Sequence, residues 1–387
     1  MVQTALALTS AAAAVRWRGP DPYDGLGWRW PAPVVGGRRR RQAVTQLHAR
    51  APFDVRRIYR RGHELIPKTL ALFGTAALRV QAVTGDERAT SLALDALELL
   101  RDDRRAGEAP WGYPWDVQTR WSFYPAHSPS IINCAFAVSA LLEGERSLRR
   151  TDLGERARAA ARWVIDELWI DPEGFFAYHP YSRANIHNAN LLGAWLVWAA
   201  LGDEAGVRDR VMRAIDRALA GQSKDGSWPY GDTELDLRWA DSFHTGYVLT
   251  CLERMRELDA AIGDAVARGV AFYRRFFGPR GESRLFADQP YPEDGHSAGT
   301  ALTTLAVLLR GQLVESELLE CVAARVLESG IRRGHGVFRR YRRGLRSSVA
   351  YLRWCDGHLA LGLADTATAL AGLKDPAPRP ATRTAVR

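Results

Sequence analysis

Two polar residues three positions apart could carry acid–base chemistry: Asp241 and His244, in the segment DSFHTGYVL. Residues at this spacing share one face of a helix, so the carboxylate can reach the imidazole. An imidazole titrates near neutral pH, and a neighbouring aspartate orients the ring and stabilises its charged form. The pair therefore predicts a general acid or base. An aspartate in this place is nearly as well suited to cap a helix, and that alternative stays open.

Aromatic and polar side chains crowd the loop WGYPWDVQTRWSFYPAHSPS and the later loops of the same kind. The candidate substrate-binding residues are Tyr113, Trp115, Gln118, Arg120, Asn188, Asn190, Trp228, Tyr247, His296 and Trp354. Aromatic faces stack on sugar rings, whose hydroxyl groups bond to amides, imidazoles and guanidinium groups. Aromatic walls also stabilise the carbocations of isoprenoid chemistry, so the pattern specifies a pocket more closely than a reaction. Trp228 follows a turn signal at 225–226 and is equally suited to pack on a neighbouring hairpin.

The candidate catalytic residues allow two kinds of sugar chemistry. They are His244, Asp241, His187, Tyr230 and Asp356. A glycosidase needs two carboxylates across the scissile bond, and Asp241 with Asp356 is the best such pair. Lyases and C5-epimerases instead remove a proton beside a carboxylate with Tyr or His, while Arg or Asn neutralises the acid. The sequence fits this second pattern better, with Tyr230, His187, His244, Arg120 and Asn188.

A metal site is a further alternative at the end of the chain. Cys355 and His358 are three positions apart and could bind zinc together with Asp241 or His244. The four cysteines of the chain are far apart, however, and no thiolate cluster accompanies this pair. We therefore expect no metal ion and no cofactor.

A repeated helical hairpin must position these residues. Almost uncharged helices are predicted over 66–83, 130–143, 187–201, 241–252, 297–309 and 349–364, with charged amphipathic helices between them. Helices that are apolar on all sides are buried, and amphipathic helices cover them. The pattern predicts an all-α fold, an (α/α)6 toroid of six inner and six outer helices in a single domain.

The long loops precede the inner helices. Because all inner helices run parallel, these loops and the helix N-termini open at one end of the toroid, which we call the mouth. We expect N-terminal helices, at about 2–17 and 42–60 within residues 1–62, to provide the sixth outer helix and a lid. The toroid spans 63–373, and the proline-containing tail 374–387 is expected to be disordered.

The composition and charge of the chain limit the kinds of binding partner that we expect. The net charge is +9, and arginines cluster at 38–41, 56–61 and 332–346. We expect the last cluster, which precedes an inner helix, to rim the mouth and attract an anionic substrate. No nucleic-acid motif accompanies the charge, so we expect no nucleic acid. No apolar run reaches the ~20 residues of a transmembrane helix, although a peripheral membrane contact is compatible with the basic clusters. The separated cysteines fit a reducing compartment, and we expect a cytoplasmic location.

Short motifs of the chain resemble those of bacterial polysaccharide-biosynthesis proteins of the VpsJ-like type. They are DPYDGL at 21–26, GYPW at 112–115, HNANLLGA at 187–194, DGSWPYG at 225–231, DSFHTGYVL at 241–249, and the pairs His296-Ser297 and Arg353-Trp354. After the last pair this chain has CDGH, where the family has a hydrophobic continuation. The resemblance implies an α/α toroid and a glycan context, and it assigns no reaction.

The same toroid carries glycoside hydrolases, epimerases, lyases and isoprenoid cyclases, so the fold alone does not choose among them. The cyclase acid motif DxDD and a diphosphate-binding DDxxD are absent from the sequence. We therefore predict a glycan-modifying enzyme of hydrolase, lyase or epimerase type that acts on a glycan or anionic sugar during polysaccharide or glycoconjugate biosynthesis. An isoprenoid cyclase or prenyltransferase and a non-catalytic glycan-binding subunit are the alternatives.

Overall fold

The computed structural model describes residues 1–58, 62–105, 109–232 and 237–372. Three helices come first: α1 (Val2–Ala14), α2 (Ala32–Val35) and α3 (Arg38–Arg50). An inner ring follows, made of α4 (Pro67–Thr84), α6 (Ile131–Leu148), α8 (His187–Leu201), α10 (Ser242–Arg254), α12 (Gly295–Arg310) and α14 (Gly357–Leu370). The helices between them are α5 (Glu87–Asp102), α7 (Thr151–Leu168), α9 (Val207–Ala220), α11 (Ala260–Tyr273) and α13 (Ser316–Arg325).

The inner helices pack side by side in chain order, and the ring closes because α14 packs on α4. Each inner helix is covered by the outer helix that follows it, whereas α14 is covered by α1 from the other end of the chain. Structure and sequence agree on this pattern: nearly all of α8 is buried, but α9 buries only one stripe and exposes the arginines between. The predicted (α/α)6 toroid is confirmed.

The last inner helix begins later than predicted. A helix was expected from residue 349, but the α-helix starts at Gly357, after a π-helical turn over Leu352–Asp356. In this turn the amide of Asp356 donates to the carbonyl of Tyr351, five residues back, at 3.1 Å. Single π turns of this kind are frequent at functional sites, since they redirect the side chains that they contain.

The N-terminal helices also differ from their predicted bounds. The first ends at Ala14, and the second covers Arg38–Arg50 instead of 42–60. Pro52 explains the second difference, because a proline pushes the residue before it into the extended conformation that Ala51 adopts. The end of that predicted helix and the tail 374–387 lie outside the described residues.

Short antiparallel strands shape the loops. The pairs are β1 (Arg18–Gly19) with β2 (Glu64–Leu65), β3 (Val117–Gln118) with β4 (Phe123–Tyr124), β5 (Trp169–Ile170) with β6 (Phe175–Phe176), and β8 (Ile331–Arg332) with β9 (His335–Gly336). A three-stranded sheet has β10 (Arg339–Arg342) between β7 (Glu293–Asp294) and β11 (Leu345–Arg346). Successive side chains of a strand point to opposite faces, so this sheet presents different arginines on its two sides.

A buried group of charges, which we call the axial network, links three inner helices towards their C-terminal ends. Arg79 of α4 donates to both carboxylate oxygens of Glu143 on α6, at 3.0 and 2.9 Å, and also pairs with Asp365 of α14. All three side chains are almost fully buried.

Within the described ranges, none of the helices is both long and apolar enough to span a bilayer.

Candidate active site

The N-terminal ends of the inner helices border a cavity of about 590 Å³, which we call the mouth cavity. The loops before α6, α8, α10, α12 and α14 form its walls together with α3. Of the sequence-predicted site residues, the cavity is lined by Tyr113, Trp115, Gln118, Arg120, Tyr230, Asp241, His244 and Trp354. Residues from distant parts of the chain thus meet at the end of the toroid where the long loops were expected.

Asp241 and His244 form a hydrogen-bonded pair in the wall of this cavity. Asp241 is the N-cap of α10, and its Oδ1 accepts a hydrogen bond from the amide of His244 at 3.0 Å. Its Oδ2 lies 2.7 Å from Nδ1 of the His244 ring. The His244 side chain is 23% exposed but that of Asp241 only 5%, so the carboxylate lies behind the ring. One aspartate therefore caps the helix and orients the imidazole, the two roles that the sequence left open.

Stacked aromatic rings stand next to this pair. Tyr230 stacks on Trp239 with ring centroids 4.8 Å apart, and the Tyr230 ring lies 4.6 Å from that of His244. The guanidinium carbon of Arg120 lies 5.2 Å from the Trp239 ring. Burial, and then the charge of Asp241, raise the pKa of Tyr230 above its ordinary value, so its hydroxyl stays protonated at neutral pH. The wall thus combines flat apolar faces with a proton donor.

The arginines of the cavity differ in their pairing. They are Arg50, Arg120, Arg339 and Arg353. Arg353 is buried, forms an ion pair with Asp21 and packs 5.1 Å from the Tyr113 ring centroid. Arg339 pairs with Asp294 at 2.8 Å. Among the described residues, Arg50 and Arg120 have no carboxylate partner. The cavity thus holds two fixed cations and two that can bind an anionic group.

Helix α3 forms a lid over part of the cavity, to which Gln42, Gln46 and Arg50 contribute. The Arg41 guanidinium donates to Oε1 of Gln118 at 2.9 Å, while the Gln118 amide nitrogen donates to backbone carbonyls of its own hairpin. Gln42 donates to the carbonyl of Thr119 at 3.0 Å. The side chain of Gln118 is therefore occupied in attaching the lid to the β3–β4 hairpin.

A cluster of titratable groups, which we call the floor cluster, lies beneath the cavity: Lys68, Tyr247, His296 and His358. The Tyr247 hydroxyl accepts a hydrogen bond from Lys68 Nζ at 3.2 Å and lies 2.7 Å from Nε2 of His296. Burial lowers the pKa of Lys68 and of both histidines well below their ordinary values. The Trp354 ring, 4.4 Å from that of His296, separates the cluster from the cavity. Tyr247 and His296 are thus a layer below the predicted substrate site.

His187 does not face the mouth cavity. Its ring points towards the outer ring of helices and lies against Gly221, where a Cβ atom would come within 2.2 Å of it. Burial lowers the pKa of His187 to about 4. His187 is therefore not one of the acids or bases of the mouth cavity. Asn188 is also buried and does not line the cavity; it shares a helix face with Leu192 and Trp195, which border the toroid axis.

Two other predicted substrate-binding residues connect hairpins instead. Asn190 accepts a hydrogen bond from the amide of Phe176 and donates to the carbonyl of Ala214 at 2.8 Å. The indole of Trp228 donates to the carbonyl of Ala218 at 2.9 Å and is 3% exposed. Asn190 thus completes the packing of α8 on α9, whereas Trp228 packs between α9 and Gly269 of α11. The local alternative for Trp228 is the one that the structure adopts.

Asp356 does not oppose Asp241 across the cavity. The π turn directs its carboxylate to the β8–β9 hairpin, where Oδ2 lies 2.8 Å from Nδ1 of His335 and Oδ1 accepts the Gly336 amide. Burial raises the pKa of Asp356, and His335 opposes that rise. The predicted glycosidase pair is therefore not formed. Asp241 is the single carboxylate among the described residues that line the cavity.

The zinc alternative has no geometric support. The Cys355 thiol packs against the backbone of Gly295 and Gly336, whereas the His358 ring faces Tyr247. In the part of the chain that the structure describes, no group of three or more His, Cys, Asp or Glu side chains is placed to hold a metal ion.

The structure adds site residues that sequence reasoning did not select. They include Tyr23, Phe243, Leu285, Phe286, Arg339, Arg353 and residues of α3. Tyr23 packs edge-on against Trp354, with ring centroids 4.9 Å apart. Asp21 and its partner Arg353 are 332 positions apart, but both belong to motifs noted in the sequence. The signal was therefore present as two short motifs of opposite charge, each with an aromatic residue beside it.

The arginine-rich segment 332–346 sends one described side chain, Arg339, into the mouth cavity. Arg340, Arg343 and Arg346 line a separate groove on the other side of the β7–β10–β11 sheet. The expectation that the whole segment rims the mouth is therefore replaced by a division between two sites.

A scan of protein-family models finds no match for the chain. A search of curated proteins likewise finds no sequence match.

Solved structures do match the fold. An unsaturated glucuronyl hydrolase specific for heparin has a TM-score of 0.64 at 11% identity, over 96% of this chain and 97% of that chain. A cellobiose 2-epimerase from Bacillus thermoamylovorans has a TM-score of 0.62 at 11% identity, over 78% and 87%. A D-mannose isomerase has a TM-score of 0.58 at 12% identity, over 79% and 87%. At these identities the likeness shows the fold, an α/α toroid shared with sugar-active enzymes.

Proposed function

We propose that this protein is a carbohydrate-active enzyme that removes a proton beside the carboxylate of an acidic sugar unit, with elimination or epimerisation as the outcome. The observation that carries the proposal is the Asp241–His244 pair in a cavity with aromatic walls and arginines. The sole described carboxylate of that cavity is engaged with the imidazole, which suits proton abstraction better than a two-carboxylate hydrolysis. Glu234 and Asp236 lie outside the described residues.

Each residue has a defined task in this reaction. Arg50 and Arg120 bind the sugar carboxylate. Their charge stabilises the carbanion that forms at the adjacent carbon, so the barrier to removal of its proton falls. Asp241 accepts a hydrogen bond from Nδ1–H of His244, so the proton of the neutral ring stays on Nδ1 and Nε2 is left as the base that takes the proton from that carbon. In an elimination the released electron pair forms a carbon–carbon double bond as the glycosidic oxygen leaves. Tyr230 then donates its proton to that oxygen.

Epimerisation uses the same first step. The proton moves from carbon to Nε2 of His244, and a second group returns a proton to the opposite face of the planar intermediate. Tyr230 lies beside the imidazole, with ring centroids 4.6 Å apart, so the second donor belongs to the facing wall of the cavity. The two outcomes therefore differ in the fate of the leaving oxygen and in the group that returns the proton.

Membership of the VpsJ-like family, a place in polysaccharide or glycoconjugate biosynthesis, and a cytoplasmic location form the wider part of this proposal. Its support is that two of the motifs that suggested the family, DPYDGL and the Arg353-Trp354 pair, meet at one place. Asp21 from DPYDGL pairs with Arg353, and Tyr23 packs on Trp354. The names of the structural neighbours, which include a glucuronyl hydrolase and two epimerases, also favour a sugar substrate.

The test is a solvent-exchange and elimination assay on uronic-acid oligosaccharides. The wild-type protein is incubated in D₂O, deuterium at the carbon beside the carboxylate is measured by mass spectrometry, and unsaturated product by ultraviolet absorbance. We expect His244→Ala to lower turnover by about 10²- to 10⁴-fold. Asp241→Asn should lower it less, because the amide still accepts a hydrogen bond.

His187→Gln is the matched control, since this buried histidine lies outside the cavity and should keep wild-type turnover. Circular dichroism verifies that all variants are folded. The proposal would be contradicted if no uronide gave deuterium exchange or unsaturated product, or if His244→Ala kept wild-type turnover. Binding without turnover, weakened by Trp239→Ala, would assign the protein to the non-catalytic glycan-binding class. Turnover of a prenyl diphosphate would favour the isoprenoid alternative.

A further inference from the structure

A second cavity, which we call the basic groove, lies outside the mouth. Its volume is about 680 Å³, within the range of small-molecule sites. It is lined by Pro279, Arg280, Glu282, Arg284, Pro290, Tyr291, Glu293, Arg325, Arg340, Arg343, Gly344, Leu345 and Arg346. Six arginines and two glutamates thus face one space.

The two glutamates neutralise only part of this charge. Glu293 pairs with Arg325 at 3.0 Å and with Arg340 at 3.3 Å, and Glu282 pairs with Arg280 at 3.1 Å. Among the described residues, Arg284, Arg343 and Arg346 have no carboxylate partner. Three guanidinium groups with unused donors thus converge on the groove, an arrangement that favours bidentate binding of carboxylate or phosphate.

The groove and the mouth cavity lie on opposite sides of the β7–β10–β11 sheet. Arg339 and Arg340 are neighbours on β10, and their side chains point to opposite faces of the sheet. Arg339 lines the mouth cavity and Arg340 lines the groove. The loop before β7 is divided in the same way, with Leu285 and Phe286 in the mouth and Arg284 in the groove.

We propose that the basic groove binds a second anionic unit of the same acidic glycan whose reacting unit occupies the mouth cavity. The inference rests on the proposed function for the class of substrate, an oligomer with repeated carboxylates or phosphates. Tyr291 and the prolines at 279 and 290 add apolar faces on which a sugar ring can stack beside the arginines. The groove would therefore select long acidic chains over short ones, because both sites bind one molecule.

The groove favours a glycan over a nucleic acid. It is a bounded cavity, whereas duplex binding uses an extended basic surface that contacts many phosphates. It also presents one tyrosine and no further aromatic ring among its described residues, so it lacks a stacking platform for successive bases.

The test compares equilibrium binding of a short and a long oligogalacturonate by isothermal titration calorimetry at low and high salt. The variant is Arg284→Gln/Arg343→Gln/Arg346→Gln. Its control is Arg88→Gln/Arg149→Gln/Arg208→Gln, which removes the same charge from exposed arginines at the end of the toroid remote from the mouth. We expect the groove variant to bind the long oligomer about 3- to 100-fold more weakly at low salt, with a smaller loss at high salt.

Affinity for the short oligomer should not change, and the control should match the wild type. Equal loss for both lengths would overturn the inference, as would no loss, or an equal loss in the control. An RNA homopolymer is titrated in parallel, and a preference for it over the long oligogalacturonate would also overturn it. If the enzyme does not turn over any uronide, the proposed function fails. The groove is nevertheless tested, because binding is measured without turnover.

Discussion

Helix α4 carries two buried basic side chains whose surroundings are opposite in kind. Arg79 in the axial network contacts two carboxylates, Glu143 and Asp365. Lys68 lies about 16 Å away along the helix, in the floor cluster. Its Nζ contacts the Tyr247 hydroxyl and lies 4.0 Å from the centre of the Phe136 ring, and within the described ranges no carboxylate pairs with it.

This difference separates the two ends of the toroid by function. A buried cation with two carboxylates satisfies the ordinary requirement of a folded core. A buried lysine with only a tyrosine, histidines and an aromatic ring is costly, and such costs are tolerated at functional sites. The remote end therefore holds the ring together, while the mouth end keeps polar groups beneath the mouth cavity.

The largest effect on stability should follow from breaking the axial network. Arg79→Met leaves Glu143 and Asp365 buried without their cation, and we expect the free energy of unfolding to fall by about 3–5 kcal/mol. Urea denaturation measures the change. Turnover per folded molecule should be unchanged, because no member of the network lines the mouth cavity.

The control for this variant removes the charges together. Arg79→Met/Glu143→Met/Asp365→Asn should regain most of the lost stability, since apolar groups of similar size can replace a buried ion pair. A single variant as stable as the wild type would show that the network contributes nothing, and the contrast between the two ends would then be lost.

The same kind of substitution at Lys68 tests the mouth end, and there we expect a gain of stability. The pKa of Lys68 is lowered in the folded state by burial and by the Arg353 charge, while Asp21 opposes this effect. In the unfolded chain the amine titrates near its ordinary value of about 10.4. As the pH falls below that value, the unfolded state binds a proton that the folded state does not bind. Lys68 therefore destabilises the fold increasingly down to its folded pKa.

Lys68→Met should remove this penalty. We expect the variant to gain stability relative to the wild type as the pH is lowered from about 10 to about 8, with a limiting slope of about 1.4 kcal/mol per pH unit. Lys224→Met is the control, because it removes the same side chain from an exposed position. A constant difference across this range would mean that Lys68 is charged in the folded protein.

The toroid could be predicted from the sequence, because its signal is the alternation of uncharged and amphipathic helices over the whole chain. The Asp241–His244 contact could also be predicted, since three positions along a helix fix it. The orientations of His187 and Asn190 could not, because they depend on how α8 is rotated about its axis, and that of Trp228 depends on how the loop after α9 packs. Asp356 was misplaced because the sequence gives no sign of the π turn that redirects it.

The basic groove and the lid show a second limit of sequence reasoning. The clusters at 38–41 and 332–346 were visible as charge, but a cluster does not reveal on which side of a sheet each arginine lies. Register decides this: Arg339 is opposite Asp294 and Arg340 opposite Glu293, so neighbouring arginines serve different cavities. Pairings between segments that are distant in sequence determine such assignments, and local patterns do not contain them.

His187 allows a packing histidine to be distinguished from one that faces the cavity. Burial lowers the pKa of His187 to about 4, whereas the unfolded value is about 6.5. Between these values the unfolded state binds a proton that the folded state excludes, so acid destabilises the protein. Each such histidine contributes a slope of up to about 1.4 kcal/mol per pH unit.

His187→Gln should flatten the fall in stability between about pH 6.5 and 4 by one such contribution, as measured by urea denaturation across that range. His179, whose pKa burial also lowers to about 4, retains its own contribution. An unchanged slope would mean that His187 is solvated in the folded protein, and the histidine would then return to the candidates for the site.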